Sequence, residues 1–169
     1  LGRAVVASIV AAIFLLISKP KRPSINQFYQ LLGVAAGIVV GFPILSAWAM
    51  QTVPASHGGV VLGIMPLATA IVGSLVSNEK PSLAFWLFGA LGSLIVIIFA
   101  LLKGLGSFQT GDFFLIGAIL SAATGYAIGG KLSKEIGGWQ VICWALVISF
   151  PFILLPAWMQ APEKSIDSL

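Results

Sequence analysis

Few side chains in this chain could perform acid–base, nucleophilic or metal chemistry. The 169 residues include one histidine, one cysteine and five acidic residues. His57 and Cys143 lie in separate apolar runs, and the acidic residues form no cluster with them. Proton transfer in catalysis and metal binding both require several such groups in one place. The sequence therefore predicts no enzyme, no cofactor and no metal site.

Polar side chains within the apolar runs are the remaining candidates for a binding site. At 100° per residue, Thr69 shares a helix face with Gly63 and Pro66. Ser121 and Thr124 form a small polar face with two glycines, although such hydroxyls often bond to their own helix backbone. The residues that we expect to line a substrate site are Trp48, Gln51, Thr69, Ser121 and Thr124.

His57 lies on the opposite side of its helix from Pro66, among apolar side chains. We expect an interfacial position near the outer surface rather than a ligand role. No Asp or Glu falls within the apolar runs, whereas proton-driven carriers usually hold an intramembrane carboxylate. Three alternatives stay open: a titrating group elsewhere, transport without proton coupling, or proton handling by His57.

The apolar runs themselves indicate a membrane protein. Hydrophobic residues make up 59% of the chain and charged residues only 8%, against about 25% charged in soluble domains. A run of about 20 apolar residues crosses the hydrocarbon layer as a helix. We predict an all-α bundle of six transmembrane helices, over residues 2–18, 28–50, 55–76, 83–102, 113–130 and 139–159.

The charged residues lie between or at the ends of these runs, which sets the orientation. One set of alternate loops holds six basic residues and the other set holds three. Because cytoplasmic loops are enriched in Lys and Arg, the first set is predicted to be cytoplasmic. That set is Lys19, Lys21, Arg22, Lys80, Lys131 and Lys134, and the outer set is Arg3, Lys103 and Lys164. The basic residues form no patch, so we expect no nucleic-acid partner.

Glycines and prolines interrupt the runs at regular places. Gly33, Gly37 and Gly41 are four residues apart, a spacing that allows close helix packing and would also allow helices to slide. We expect helix kinks at Pro43, Pro66 and Pro151, since each removes a backbone donor. The carbonyls of Val39, Leu62 and Val147 would then need other partners or a cavity.

The order of these features resembles a known family. A Pro-Ala-Ser at residues 54–56 precedes a helix with a proline midway and a Glu at its end, and Trp86 and Gly92 follow in the next run. This combination is similar to the EamA-like domain of the drug/metabolite transporter superfamily. "NEK" at residues 78–80 replaces the commoner Gly-Glu-Arg pattern, and we interpret Glu79 and Lys80 as a cytoplasmic-end anchor, with gating by Glu79 as the alternative.

The resemblance implies two inverted five-helix repeats, of which this chain would supply spans two to seven of ten. The first repeat would cover 1–105, without its first span, and 106–169 would begin the second repeat. Such proteins are permeases of small metabolites or drugs that work by alternating access, here expected in a bacterial inner membrane, with efflux as one direction. A small-molecule substrate, the lipid bilayer and a second copy of the chain are the expected partners. A non-transporting membrane scaffold is the alternative, because glycine stripes serve assembly equally well.

Overall fold

A computed structural model describes residues 2–77, 81–102 and 109–159. Glu79 and Lys80, the predicted cytoplasmic-end anchor, lie outside the described residues. Within these ranges the chain forms eight α-helices and one π-helical segment. They are α1 (Gly2–Ser18), α2 (Ile25–Val34), the π segment (Ala35–Gly41), α3 (Phe42–Ala49), α4 (Ala55–Leu62), α5 (Met65–Ser77), α6 (Leu83–Leu102), α7 (Thr110–Ile136) and α8 (Gly138–Met159).

The all-α transmembrane fold predicted from the sequence is confirmed. Three helical stretches of the described residues, Ile25–Ala49, Ala55–Val76 and Thr110–Ile136, are long and apolar enough to cross a membrane. The apolar helices Arg3–Ser18, Leu83–Phe99 and Gly138–Leu154 are shorter by the same measure. Each predicted run thus corresponds to one helix or to one consecutive group of helices. Large apolar side chains are exposed along all of them, as lipid contact requires.

Helix α7 lies at the centre of the bundle. It packs against α2, the π segment, α3, α4, α5 and α8, while α1 packs on α8 and α6 packs on α4 and α5. The largest buried cluster joins Leu31 and Val34 of α2 to Leu132 of α7 and Ala145 of α8. Helix α7 is therefore the element that fixes the positions of the others.

The π segment accommodates Pro43. The N–H of Phe42 donates to the carbonyl of Gly37, five residues earlier. These turns hold one residue more than α-helical turns would. Such π-helical insertions in α-helices often occur at functional sites. π-helical turns thus lie immediately before Pro43, and a kink there stays a prediction.

The chain is interrupted between α4 and α5. Gly63 and Ile64 form a turn, and Pro66 occupies the second position of α5, where a proline interrupts no hydrogen bond within α5 itself. The predicted irregularity at Pro66 is therefore a break in the helix just before it. At Pro151 the helix continues, since α8 runs through it without interruption.

Local sequence explains how the helices begin and end at one side of the bundle. At the start of α2, the Ser24 N–H donates to Gln27 Oε1 over 3.0 Å and Ser24 Oγ accepts from the Gln27 N–H over 3.4 Å. Gly137 separates α7 from α8 with φ +90°, a left-handed conformation that favours glycine. Helices α2, α7 and α8 are thereby brought together at this side.

Candidate functional site

A histidine and an aspartate form a buried pair at the N-terminal end of α7. His57 Nε2 lies 2.5 Å from Asp112 Oδ1. His57 is 7% exposed and Asp112 is 4% exposed. The side chains come from α4 and α7, which are 55 residues apart in sequence. The pair therefore ties the start of α4 to the start of α7.

The backbone at the start of α7 holds the Asp112 carboxylate in place. Its Oδ2 accepts a hydrogen bond of 2.8 Å from the Gln109 N–H. Asp112 also occupies the first turn of the helix, where the free N–H groups and the helix dipole favour a negative charge. Both carboxylate oxygens thus have a donor or a ring nitrogen within hydrogen-bond distance.

A buried apolar cluster includes Leu115, one turn after Asp112. Ala49, Val53 and Leu115 form a buried cluster at the junction of α3, the following loop and α7. An added Cβ at Gly111 would lie 2.8 Å from a Val53 methyl group, so the loop and α7 approach closely. The two side chains are themselves buried where α4 and α7 meet.

A second candidate feature is a cavity beside the break between α4 and α5. It has a volume of about 580 Å³ and lies between α5 and α6. Pro66 has no N–H to give to the Leu62 carbonyl, which therefore loses its usual helical donor. Backbone groups released in this way often occur where transporter helices contact substrate. The cavity is lined by Gly63, Pro66, Leu67, Ala70, Phe85, Phe88, Gly89, Gly92 and Ser93.

The three hydroxyls predicted to line a substrate site all lie near backbone carbonyls. Thr69 Oγ1 donates to Met65 O over 2.9 Å, and Thr124 Oγ1 donates to Leu120 O over 2.8 Å. Ser121 Oγ instead donates to Gly37 O over 3.0 Å, between α7 and the π segment. Ser121 therefore joins two helices, while the other two hydroxyls bond within their own helices.

Trp48 and Gln51 lie near the His57–Asp112 pair, at the end of α3 and in the loop after it. The Trp48 ring packs edge-to-face on Phe114, with 5.8 Å between ring centroids. It is nevertheless 51% exposed, and Gln51 is exposed as well. A role of the five predicted residues in substrate binding stays a prediction.

The opposite end of the bundle carries several charged and polar side chains. Gln27 Nε2 donates to Glu135 Oε2 over 3.1 Å, and a surface cavity there is also lined by Lys21 and Arg22. Several residues predicted to be cytoplasmic are thus close together. Within residues 2–77, 81–102 and 109–159, no three His, Cys, Asp or Glu residues lie close enough to hold a metal ion.

Sequence reasoning missed Asp112 and its contact with His57. The predicted span began at residue 113, so Asp112 was assigned to a loop, whereas α7 begins at Thr110. The interfacial position of His57 stays a prediction, and its ring is buried against α7 rather than among apolar side chains alone. The available signal was the Gly-Asp pair at the start of an apolar run, which is typical of a helix N-terminus with an acidic first turn.

Comparisons with known proteins give one family. The EamA-like transporter family matches residues 1–102. The uncharacterized transporter YdeK of Bacillus subtilis (strain 168) is 44% identical over 162 residues, which cover 96% of this chain and 56% of the relative. The chain therefore spans just over half the length of this curated relative. No solved structure matches the chain.

Proposed function

Since the chain belongs to the EamA-like transporter family and is a multi-pass membrane protein, we propose that it is part of a secondary transporter that moves small molecules by alternating access. The membrane crossed is the bacterial cytoplasmic membrane. The substrate site includes the cavity beside Pro66, and substrate passes between two states that open to opposite sides.

The interrupted α4–α5 helix is the observation that supports this proposal. An unbroken apolar helix offers no free backbone groups to a substrate. Here the helix is interrupted at Gly63 and Ile64, and the Leu62 carbonyl has no donor four residues later because that residue is Pro66. The adjacent cavity of about 580 Å³ is lined mainly by apolar side chains, which include Phe85 and Phe88. Ser93 is a polar residue of the lining. Small amphipathic molecules fit this lining.

If transport occurs by alternating access, the cavity-lining face of α5 is reached by water first from one side of the membrane and then from the other. Ala70 lines the cavity, whereas its neighbour Ile71 is 44% exposed on the lipid-facing surface. In a Cys143→Ala background, Ala70→Cys should react with a membrane-impermeant thiol reagent added to right-side-out or to inverted vesicles. Ile71→Cys, at nearly the same depth, should react at least tenfold more slowly from both sides.

Equal, slow reaction of both cysteines from both sides would contradict the proposal and favour the membrane scaffold. Transport itself is measured with the protein expressed from its whole reading frame and reconstituted into proteoliposomes. Tritiated amino acids and nucleosides serve as probes. Saturable uptake that liposomes without protein lack would support the proposed function.

A further inference from the structure

We propose that the groove between α1 and α8, at the end of α1 that carries Lys19, binds one anionic phospholipid of the membrane. The phosphate of the lipid lies between the side chains of Lys19 and Arg22, and part of one acyl chain fills the apolar cavity beside them. This inference does not depend on the proposed transport function, because it concerns the α1–α8 groove and not the cavity beside Pro66.

The α1–α8 groove contains a cavity of about 480 Å³ with two kinds of lining. The apolar part of the lining includes Ala12, Leu16 and Val147, and the charged part consists of Lys19 and Arg22. Leu16 is 74% exposed, so the cavity is open to the surface that faces lipid. An acyl chain can therefore enter from the bilayer while the charged end of the lipid stays near the helix ends.

The two basic side chains of the groove have no acidic partner in the part of the chain that the structure describes. Both are exposed, and neither forms an ion pair or a side-chain hydrogen bond there. Glu135 lines the adjoining surface cavity together with Arg22, but its carboxylate accepts a hydrogen bond from Gln27. A lipid phosphate supplies the negative charge that the two cations lack, and basic pockets between membrane helices bind such head groups.

The backbone places Lys19 at the groove at a conformational cost. Lys19 has φ +44°, a left-handed conformation that glycine and asparagine adopt far more readily than lysine does. Its N–H donates to the Leu15 carbonyl over 3.0 Å and closes the last turn of α1, and Pro20 follows directly. A glycine would end the helix here with less strain. A lysine at this position thus favours a role for its charge.

A tryptophan in the lining carries a donor without an acceptor. Trp144 lines the groove, and its Nε1–H is buried with no hydrogen-bond partner among the described residues. An unpaired buried donor is unfavourable. Trp144 lies six residues after the start of α8, and tryptophan is enriched at the level of the membrane where lipid head groups meet the acyl chains. The ester carbonyls of a bound phospholipid are acceptors at this level, so the lipid offers this N–H a partner.

Native mass spectrometry measures the binding, with the protein expressed from its whole reading frame and purified in a mild detergent. Dioleoyl phosphatidylglycerol is the anionic probe, and dioleoyl phosphatidylcholine, which has the same chains and no net charge, is the control. We expect the first phosphatidylglycerol to bind at least tenfold more tightly than phosphatidylcholine. Equal affinities would overturn the proposal. Displacement of the lipid by an excess of glycerol 3-phosphate, which has no acyl chains, would overturn the assignment to a lipid.

Matched variants test whether the lipid binds at the two cations of the groove. Lys19→Asn removes one charge and keeps a residue that tolerates the left-handed backbone, and Arg22→Gln removes the other charge. Each should weaken phosphatidylglycerol binding by about fivefold, since a basic residue near an anionic lipid contributes about 1 kcal/mol. Lys131→Gln removes an exposed cation of α7 outside the groove and should leave the affinity unchanged. Equal losses in all three variants would indicate general attraction to charge and would overturn the proposal.

A photoreactive lipid locates the acyl chain. Phosphatidylglycerol and phosphatidylcholine, each with a diazirine in one chain, are crosslinked to the whole protein in bilayers, and the adducts are mapped by peptide mass spectrometry. We expect more adducts along the groove from phosphatidylglycerol than from phosphatidylcholine. Ala12→Phe fills the apolar part of the groove and should remove this excess, whereas Val10→Phe, at an exposed position of α1 outside the groove, should keep it. Equal adducts from both lipids, or none because another helix of the whole protein covers the groove, would overturn the proposal.

Discussion

The hydroxyl groups of α7 show how similar side chains have different structural roles. Ser121 donates across the helix interface to the Gly37 carbonyl, which already accepts the Phe42 N–H through the π-helical turn. Thr124, one turn later, is exposed and bonds within its own helix. Sequence periodicity placed both residues on one polar face of the helix but could not indicate their partners. Periodicity gives the direction of a side chain around the helix axis and not its distance from a neighbouring helix.

We expect Ser121→Ala to lower the free energy of unfolding by about 1 kcal/mol, the usual size of an interhelical hydrogen bond in a membrane protein. Thr124→Ala should change it by less than about 0.5 kcal/mol, since its hydroxyl joins no other helix. Reversible unfolding in mixed micelles, followed by circular dichroism, gives both values. Equal losses for the two variants would show that the Ser121 contact contributes nothing specific.

The sequence analysis missed the burial of Asp112 for a physical reason that also concerns single residues. A carboxylate at the end of an apolar run is compatible with a loop, a cap or a buried site, and hydropathy does not distinguish among them. Burial of Asp112 depends on His57, 55 residues away, and on the N-terminal turn of α7. A single sequence contains no record of that contact.

At the scale of helices, glycine spacing determines how closely α7 approaches the π segment. A Cβ added at Gly37 would lie 2.6 Å from the Ser121 carbonyl oxygen and 2.9 Å from the Gly125 Cα atom. Both neighbours are backbone atoms, which cannot move aside as a flexible side chain can. The prediction of close packing from the four-residue spacing agrees with this contact.

Gly37→Ala should therefore lower the free energy of unfolding by about 1–3 kcal/mol, the usual cost of overpacking. Gly73→Ala is the matched control on α5, because nothing lies within 4 Å of an added Cβ there, and alanine favours the helix by about 1 kcal/mol. Unfolding in mixed micelles measures both variants. A Gly37→Ala protein as stable as wild type would contradict the observed close approach.

Most of the helices could be predicted from hydropathy, but their irregularities could not. Each predicted run ends within a few residues of a helix end or a group of helices, since lipid requires long apolar helices. The break at Gly63 and the π segment before Pro43 depend on neighbouring helices that satisfy or shield the backbone. Pro151 lacks an N–H like the other two prolines, but α8 continues through it without interruption.

At the scale of the whole molecule, the two ends of the bundle carry different groups. Lys21, Arg22 and Glu135 surround a surface cavity at one end, while the other end holds the buried pair of α4 and α7. This separation agrees with the loop assignment made from the basic residues. The positive-inside rule then predicts that the end with Lys21 and Arg22 faces the cytoplasm.

Thiol labelling measures this orientation in a Cys143→Ala background. Lys131 and Gln51 are both exposed and lie towards opposite ends of the bundle, so each can be replaced by cysteine without disturbing a buried contact. Lys131→Cys should react with an impermeant maleimide at least tenfold faster in inverted vesicles than in intact cells, and Gln51→Cys should show the opposite preference. Reversed preferences would place the His57–Asp112 pair at the cytoplasmic side.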